Sequence, residues 1–154
     1  EAAQPYLNIE ELPEGDAAAA VARLGQSAGT SFAAVTAQGW FLLTAKATAV
    51  AEALHGVSPR QRQLDVVQLH CLVVEKLLGI SPEATREQTH IRYLRDAAEA
   101  ADQVARGEAN VSFLINPVNR DQLREVAFAG EVMPQKSTDF YPKLRSVLAI
   151  YALD

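Results

Sequence analysis

Apolar positions recur along this chain with two periods, close to four in some stretches and two in others, and the changes of period mark out its elements. The longest apolar stripe is Val66, Val67, Leu69, Leu72, Val73, Val74, Leu77 and Leu78. It leaves almost no polar face, which predicts a helix running through the core. Asp65, with Gln68 three residues on, reads as a capping box for that helix, and Gly79 as its left-handed stop. Gly15-Asp16 opens an alanine-rich helix carrying Val21 and Leu24 and ending at Gly25, with Asp16 as cap. Ser31 to Val35 and Trp40 to Ala45 flank Thr36-Ala37-Gln38-Gly39 and predict a hairpin in which Gly39 takes positive φ. Thr48 is placed to cap a short helix through Leu54, closed by Gly56. The polar, proline-containing segment Val57 to Gln63 reads as an internal hinge.

Downstream the pattern alternates. Thr89 to Tyr93 is a strand candidate, Asp96 with Glu99 caps a helix ending at Gly107, and Asn110 to Ile115 is a strand. Asn119 with Gln122 caps a further helix, carrying Leu123 and Val126, that stops at Gly130. Residues 89 to 115 thus resemble a βαβ unit with parallel strands. An apolar run from Val147 to Leu153 predicts a final strand, and the first dozen residues, through Pro13, read either as a strand or as a tie to preceding sequence. The fold class expected is α+β: a mixed β-sheet with an N-terminal hairpin, a βαβ unit and a buried central helix. No internal repeat or low-complexity tract is present.

A length of 154 residues suits one domain, and the start at Glu1 leads to the expectation that it is the C-terminal part of a longer protein, with residues 1–29 tied to what precedes. A hydrophobic fraction of 49% and a charged fraction of 21% are those of a globular protein. The net charge of −5 disfavours nucleic acid as a partner, since a phosphate backbone needs a concentrated basic face. No apolar run reaches membrane-spanning length. The single cysteine, Cys71, has no internal disulfide partner, which fits a cytoplasmic setting.

Chemistry concentrates near the C-terminus. Met133 to Lys143 gathers two lysines, two adjacent hydroxyls and two aromatics. Lys136 can meet an anion as a point charge, while Ser137 and Thr138 offer hydroxyls and backbone N–H groups. Lys143 and Arg145 share a face if that stretch is extended. The functional reading is phosphate or carboxylate binding by Lys136, Ser137, Thr138, Lys143 and Arg145. The structural reading is a solvated connection with Phe140 and Tyr141 packed on the core. No Gly-rich phosphate loop precedes Lys136, so a P-loop is rejected. Asn116-Pro117 follows a strand directly, so Asn116, Asn119 and Gln135 are candidates for a pocket wall, although Asn119 is equally explained as a cap. Asp65 and His70 are weak catalytic candidates, and His70 has the alternative of a satisfied core histidine. Cys71 reads as a small core residue. His55 and His90 have no second ligand at metal spacing, so no metal is assigned.

Three ordered blocks carry a family resemblance: Leu64 to His70 with Leu77 to Ile80; Gly107 to Pro117; and Ala129 to Thr138 with Phe140 to Leu144. Together they resemble the C-terminal half of the uncharacterised family called domain of unknown function 1015, over roughly residues 30 to 154, the Met-Pro-Gln-Lys-Ser-Thr block above all. Asp139 stands where that family generally has an aromatic residue, and Val147 where a glycine is common. Full-length members resemble ParB-like and sulfiredoxin-like proteins in an N-terminal half whose Asp-Gly-His-His-Arg segment has no counterpart here. The resemblance implies an anion- or phosphate-binding part of a nucleotide- or phosphoryl-handling enzyme, with a nucleotide as possible cofactor and a small anionic ligand and the N-terminal half as partners. The alternative is a non-catalytic module that packs on that half or forms a homodimer, for which the apolar helix and the exposed positions expected of Trp40, Phe140 and Tyr141 speak.

Overall fold

The computed structural model describes residues 2–13, 15–27, 29–134, 137 and 138. Its elements are β1 (Leu7–Leu12), α1 (Ala17–Gly25), β2 (Ser31–Thr36), β3 (Gly39–Ala45), α2 (Ala47–Ala53), α3 (Pro59–Arg62), α4 (Asp65–Gln68), α5 (Pro82–Glu87), α6 (Ala97–Ala105), β4 (Val111–Ile115) and α7 (Arg120–Phe128). α4 continues without a break into a π-helical stretch, Leu69–Glu75. The fold is α+β, with a four-stranded sheet in the order β1-β3-β2-β4.

Strand β2 lies centrally, between β3 and β4, and is buried on both faces from Ser31 to Val35. Side chains alternate across a strand, so Phe32 and Ala34 point to one face and Ala33 and Val35 to the other. On the first face they join Leu43, Leu7 and Phe113 beneath α2 and the π stretch, which contribute Ala49, Leu69, Leu72 and Val73. On the second face Leu42 and Leu114 join them beneath α1 and α6, which contribute Ala20, Leu24, Ala100 and Val104. The sheet is therefore sandwiched between helices. A smaller core of Leu64, Val66 and Val126 ties α7 to α4, with Val118 and Met133 packed against it.

The hairpin forms as its sequence predicts, with Thr36 opposite Gly39 and Gly39 at φ +141°. Asp16 accepts from the Ala18 amide, Asp96 from Ala98 and Glu99, and Asn119 closes a two-way box with Gln122. Gly79, Gly107 and Gly130 each adopt positive φ past a helix.

Five expectations are corrected. Every strand pairing is antiparallel, β2 with β4 included, so the sheet is not mixed and 89 to 115 is not a βαβ unit. Thr89 to Tyr93 is no strand: Arg92 donates to the Glu108 carbonyl at 2.9 Å, and Tyr93 lies against His70. Strand propensity yields to those contacts, as it does wherever context decides. Asp65 and Gln68 form no capping box, because Leu64 is the N-cap residue and Asp65 is already the first helical position. Thr48 does not cap α2, whose N-cap position falls two residues earlier, at Lys46. The expected hinge at 57 to 63 contains α3, capped by Ser58, and Arg62 donates from it to the Val57 carbonyl at 3.0 Å. The Ser58 hydroxyl also donates to Glu131, and Gln61 to the Val132 carbonyl, so this segment is fastened to the chain just before Met133.

Candidate functional site

Three element ends meet at the edge of the sheet: the C-terminus of α1, the N-terminus of α4 and the end of β4 leading into α7. They enclose a cleft of about 420 Å³ lined by Ser27, Gly29, Asp65, Asn116, Pro117, Val118, Asn119 and Gln122. Among the described residues of the lining, Asp65 is the one ionisable side chain. Asn116 leaves β4 immediately after Ile115 and reaches across the cleft, donating to the Asp65 carboxylate at 3.3 Å and more weakly to the Leu24 carbonyl at 3.5 Å. Burial raises the Asp65 carboxyl above the ordinary carboxylate range, while hydrogen bonds from Asn116 and Thr30 act in the opposite direction. Asn119 and Gln122, on the same lining, are engaged with each other in the α7 capping box, at 2.8 and 3.1 Å.

A second concavity lies on the other side of α4. This groove, about 490 Å³, is lined by apolar Val66, Val67, Pro82 and Pro134 and by His70, Cys71, Glu75, Thr85, Arg86, Gln88 and Tyr93. The His70 and Tyr93 rings lie 7° from parallel with centroids 6.2 Å apart, and the Tyr93 hydroxyl is 3.5 Å from His70 Nε2. Burial lowers the His70 pKa, favouring the neutral ring, and raises those of Cys71 and Tyr93.

The two weak catalytic candidates thus sit apart, Asp65 in the polar cleft and His70 in the apolar groove. Asn116 and Asn119 line the cleft with Asp65. Of the C-terminal cluster, Ser137 is half-buried and its hydroxyl donates to the Pro134 carbonyl at 2.7 Å, while Thr138 is exposed. Gln135, Lys136, Lys143 and Arg145 lie outside the described residues, as do Phe140, Tyr141 and the strand expected at 147 to 153. Trp40 is not the exposed residue expected: it is partly buried against the core beneath α1 and α6, with Gly15 alongside the indole. His55 and His90 are exposed, and among the described residues no group of ligands for a metal occurs. Nor, among them, is any helix long and apolar enough to cross a membrane.

Sequence reasoning missed Tyr93 and Thr85, and nothing in their neighbourhood marks them, because α5 and the following turn bring them to the groove from outside any regular repeat. It also missed Ser27 and Gly29, which earn a place only because α1 ends beside β4. No family model, curated protein or solved structure matches this chain.

Proposed function

We propose that this chain is a ligand-binding domain that holds a small polar molecule in the cleft at Asp65. What supports this reading most is the half-buried carboxyl, gripped by the Asn116 amide, in a polar concavity whose lining, among the described residues, supplies no cation. A carboxylate kept partly out of water without a basic partner favours a guest that brings a donor, such as a hydroxyl or an ammonium group. The same perturbed carboxyl suits a group that accepts a proton from a bound hydroxyl. The phosphate-bearing end of such a ligand, and with it a role in a nucleotide- or phosphoryl-using reaction, is proposed from Lys136, Ser137, Thr138, Lys143 and Arg145 in the sequence alone. A free anion by itself is a poor guest for the cleft, because Asp65 would repel it.

Isothermal titration of the chain with serine, phosphoserine, inorganic phosphate and a nucleotide checks both halves of the reading. Phosphoserine is expected to bind more tightly than either serine or phosphate, and Asp65→Asn and Asn116→Ala are each expected to weaken it about tenfold, the loss of one charge-assisted hydrogen bond. No heat from any of the four ligands rejects the proposal.

A second reading, self-association or packing on another domain, is favoured by Phe128 and Val132, which are 84% and 81% exposed. Large apolar side chains so open to water are a feature of interfaces. Light scattering separates the cases: a monomer at all concentrations, in wild type and in Phe128→Glu alike, counts against self-association.

A further inference from the structure

We propose that the groove across α4 from Asp65 is a separate binding site for a neutral, planar heteroaromatic ring of nucleobase size, seated against Tyr93 and His70. The groove and the polar cleft share no lining residue among those described. The groove's volume, about 490 Å³, falls in the range of small-molecule sites, which combine mostly apolar walls with a few placed polar groups. Val66, Val67, Pro82 and Pro134 supply the apolar walls. Two nearly parallel rings, His70 and Tyr93, supply flat surface, which pairs best with another flat ring.

The groove is also built at a conformational cost. His70, Cys71 and Glu75 all come from the π-helical stretch, a winding frequently found at functional sites. Gln88, the left-handed C-cap of α5, lines the same groove and adds a side-chain amide. Thr85 is another polar wall residue.

These polar features argue for a ring with donors and acceptors on its edge over an aliphatic chain. Among them is the His70 imidazole, whose neutral form carries one donor and one acceptor. Among the described residues, the charged side chains of the lining, Glu75 and Arg86, are both exposed, and Arg86 is engaged with Glu83 at 3.1 Å, so the described interior is uncharged. That favours a neutral guest.

The test uses the whole chain and adenosine as probe, with cyclohexanol as the apolar control and the His70 ring proton resonances as the readout. Adenosine is expected to shift those resonances saturably, with cyclohexanol at least tenfold weaker. Tyr93→Ala is expected to weaken adenosine about tenfold, the scale of one lost ring–base stack. Cys71→Phe fills the groove and is expected to abolish the shift, whereas Asp65→Asn leaves it within about twofold, so that failure here and failure at the cleft are told apart. Wild-type protein that shows no shift with adenosine overturns the proposal whatever the variants do. So does equal binding of cyclohexanol or an unchanged affinity in folded Tyr93→Ala protein.

Discussion

Asp65 shows how one residue can be legible by type and misread by role. An acid followed three residues later by glutamine is a helix-start pattern, and a helix does start there, but Leu64 occupies the cap position. The carboxyl is thereby released toward Asn116, while Gln68 donates instead to the Arg62 carbonyl at 2.8 Å. Neither partner can be read from spacing, since Asn116 is brought in by the sheet. The pH consequence has a definite sign. With its pKa raised in the fold, Asp65 holds its proton more tightly in the native than in the unfolded chain. Its contribution to stability is then full below the unfolded carboxylate value and is lost as pH rises through the folded one. Asp65→Asn removes that fall, so urea midpoints measured from about pH 3 to about pH 7 should decline less with rising pH in the variant than in wild type. His70 acts in the opposite sense, its lowered pKa giving stability that is lost as pH falls, and it is common to both proteins, so it cancels from the comparison. Parallel profiles would show that Asp65 titrates as it does in the unfolded chain. Cys71 gives a second check. Burial and Glu75 both raise its pKa, so its alkylation at about pH 8 should be slower than that of a free peptide cysteine, with equal rates excluding a shielded thiol.

At the level of elements, termini were more legible than interiors. A cap is local chemistry: the Asn119 side chain and the Gln122 amide are three residues apart wherever the helix goes, and both arms of that box are present at 2.8 and 3.1 Å. Asn119→Ala should therefore lower stability by about 1 kcal/mol, read from the urea midpoint at constant slope. Because Asn119 also lines the cleft, this variant separates cap from contact: Asn119→Ser retains a capping oxygen and should recover most of the stability. If serine restores nothing, the cap is not what the asparagine contributes. Gly79 is a purer backbone case. Nothing lies within 4 Å of a Cβ placed there, and φ is +67°, so Gly79→Ala should cost about 1 kcal/mol from conformation alone. Interiors failed where long-range packing decided them. The π winding of Leu69–Glu75 has no sequence signature, since the same apolar stripe satisfies an α-helix. Thr89 to Tyr93 carries the residue types of a strand, but the sheet places none there, and Tyr93 is turned to His70 instead.

For the molecule as a whole, the α+β class and the hairpin were legible, and the layering and the pairing direction were not. On sequence the run Ser31 to Val35 is only one arm of the hairpin, and the structure places helices on each side of it. Pairing direction depends on how β4 returns to the sheet after α6, and no local residue fixes that. The return has a consequence for the cleft. β4 delivers Asn116 to Asp65, while α7 is held by the small core of Leu64, Val66 and Val126, with Val118 and Met133 against it. Ile115 packs against that core and against the main one beneath α2, and so forms the joint between them. If the joint is the weaker link, α7 can open without unfolding the sheet. Val126 is fully buried, and its truncation to alanine removes about 2 kcal/mol of packing confined to this corner. Leu72, equally buried, belongs to the main core, and Leu72→Ala should cost about 3 kcal/mol. Native-state hydrogen exchange then distinguishes two architectures. Val126→Ala should speed exchange of the α7 amides and leave those of β2 unchanged, whereas Leu72→Ala should speed both. Equal acceleration of α7 and β2 in the Val126 variant would mean that the wall of the cleft opens only with the whole fold, and a ligand at Asp65 would then have to enter a cleft that is already formed.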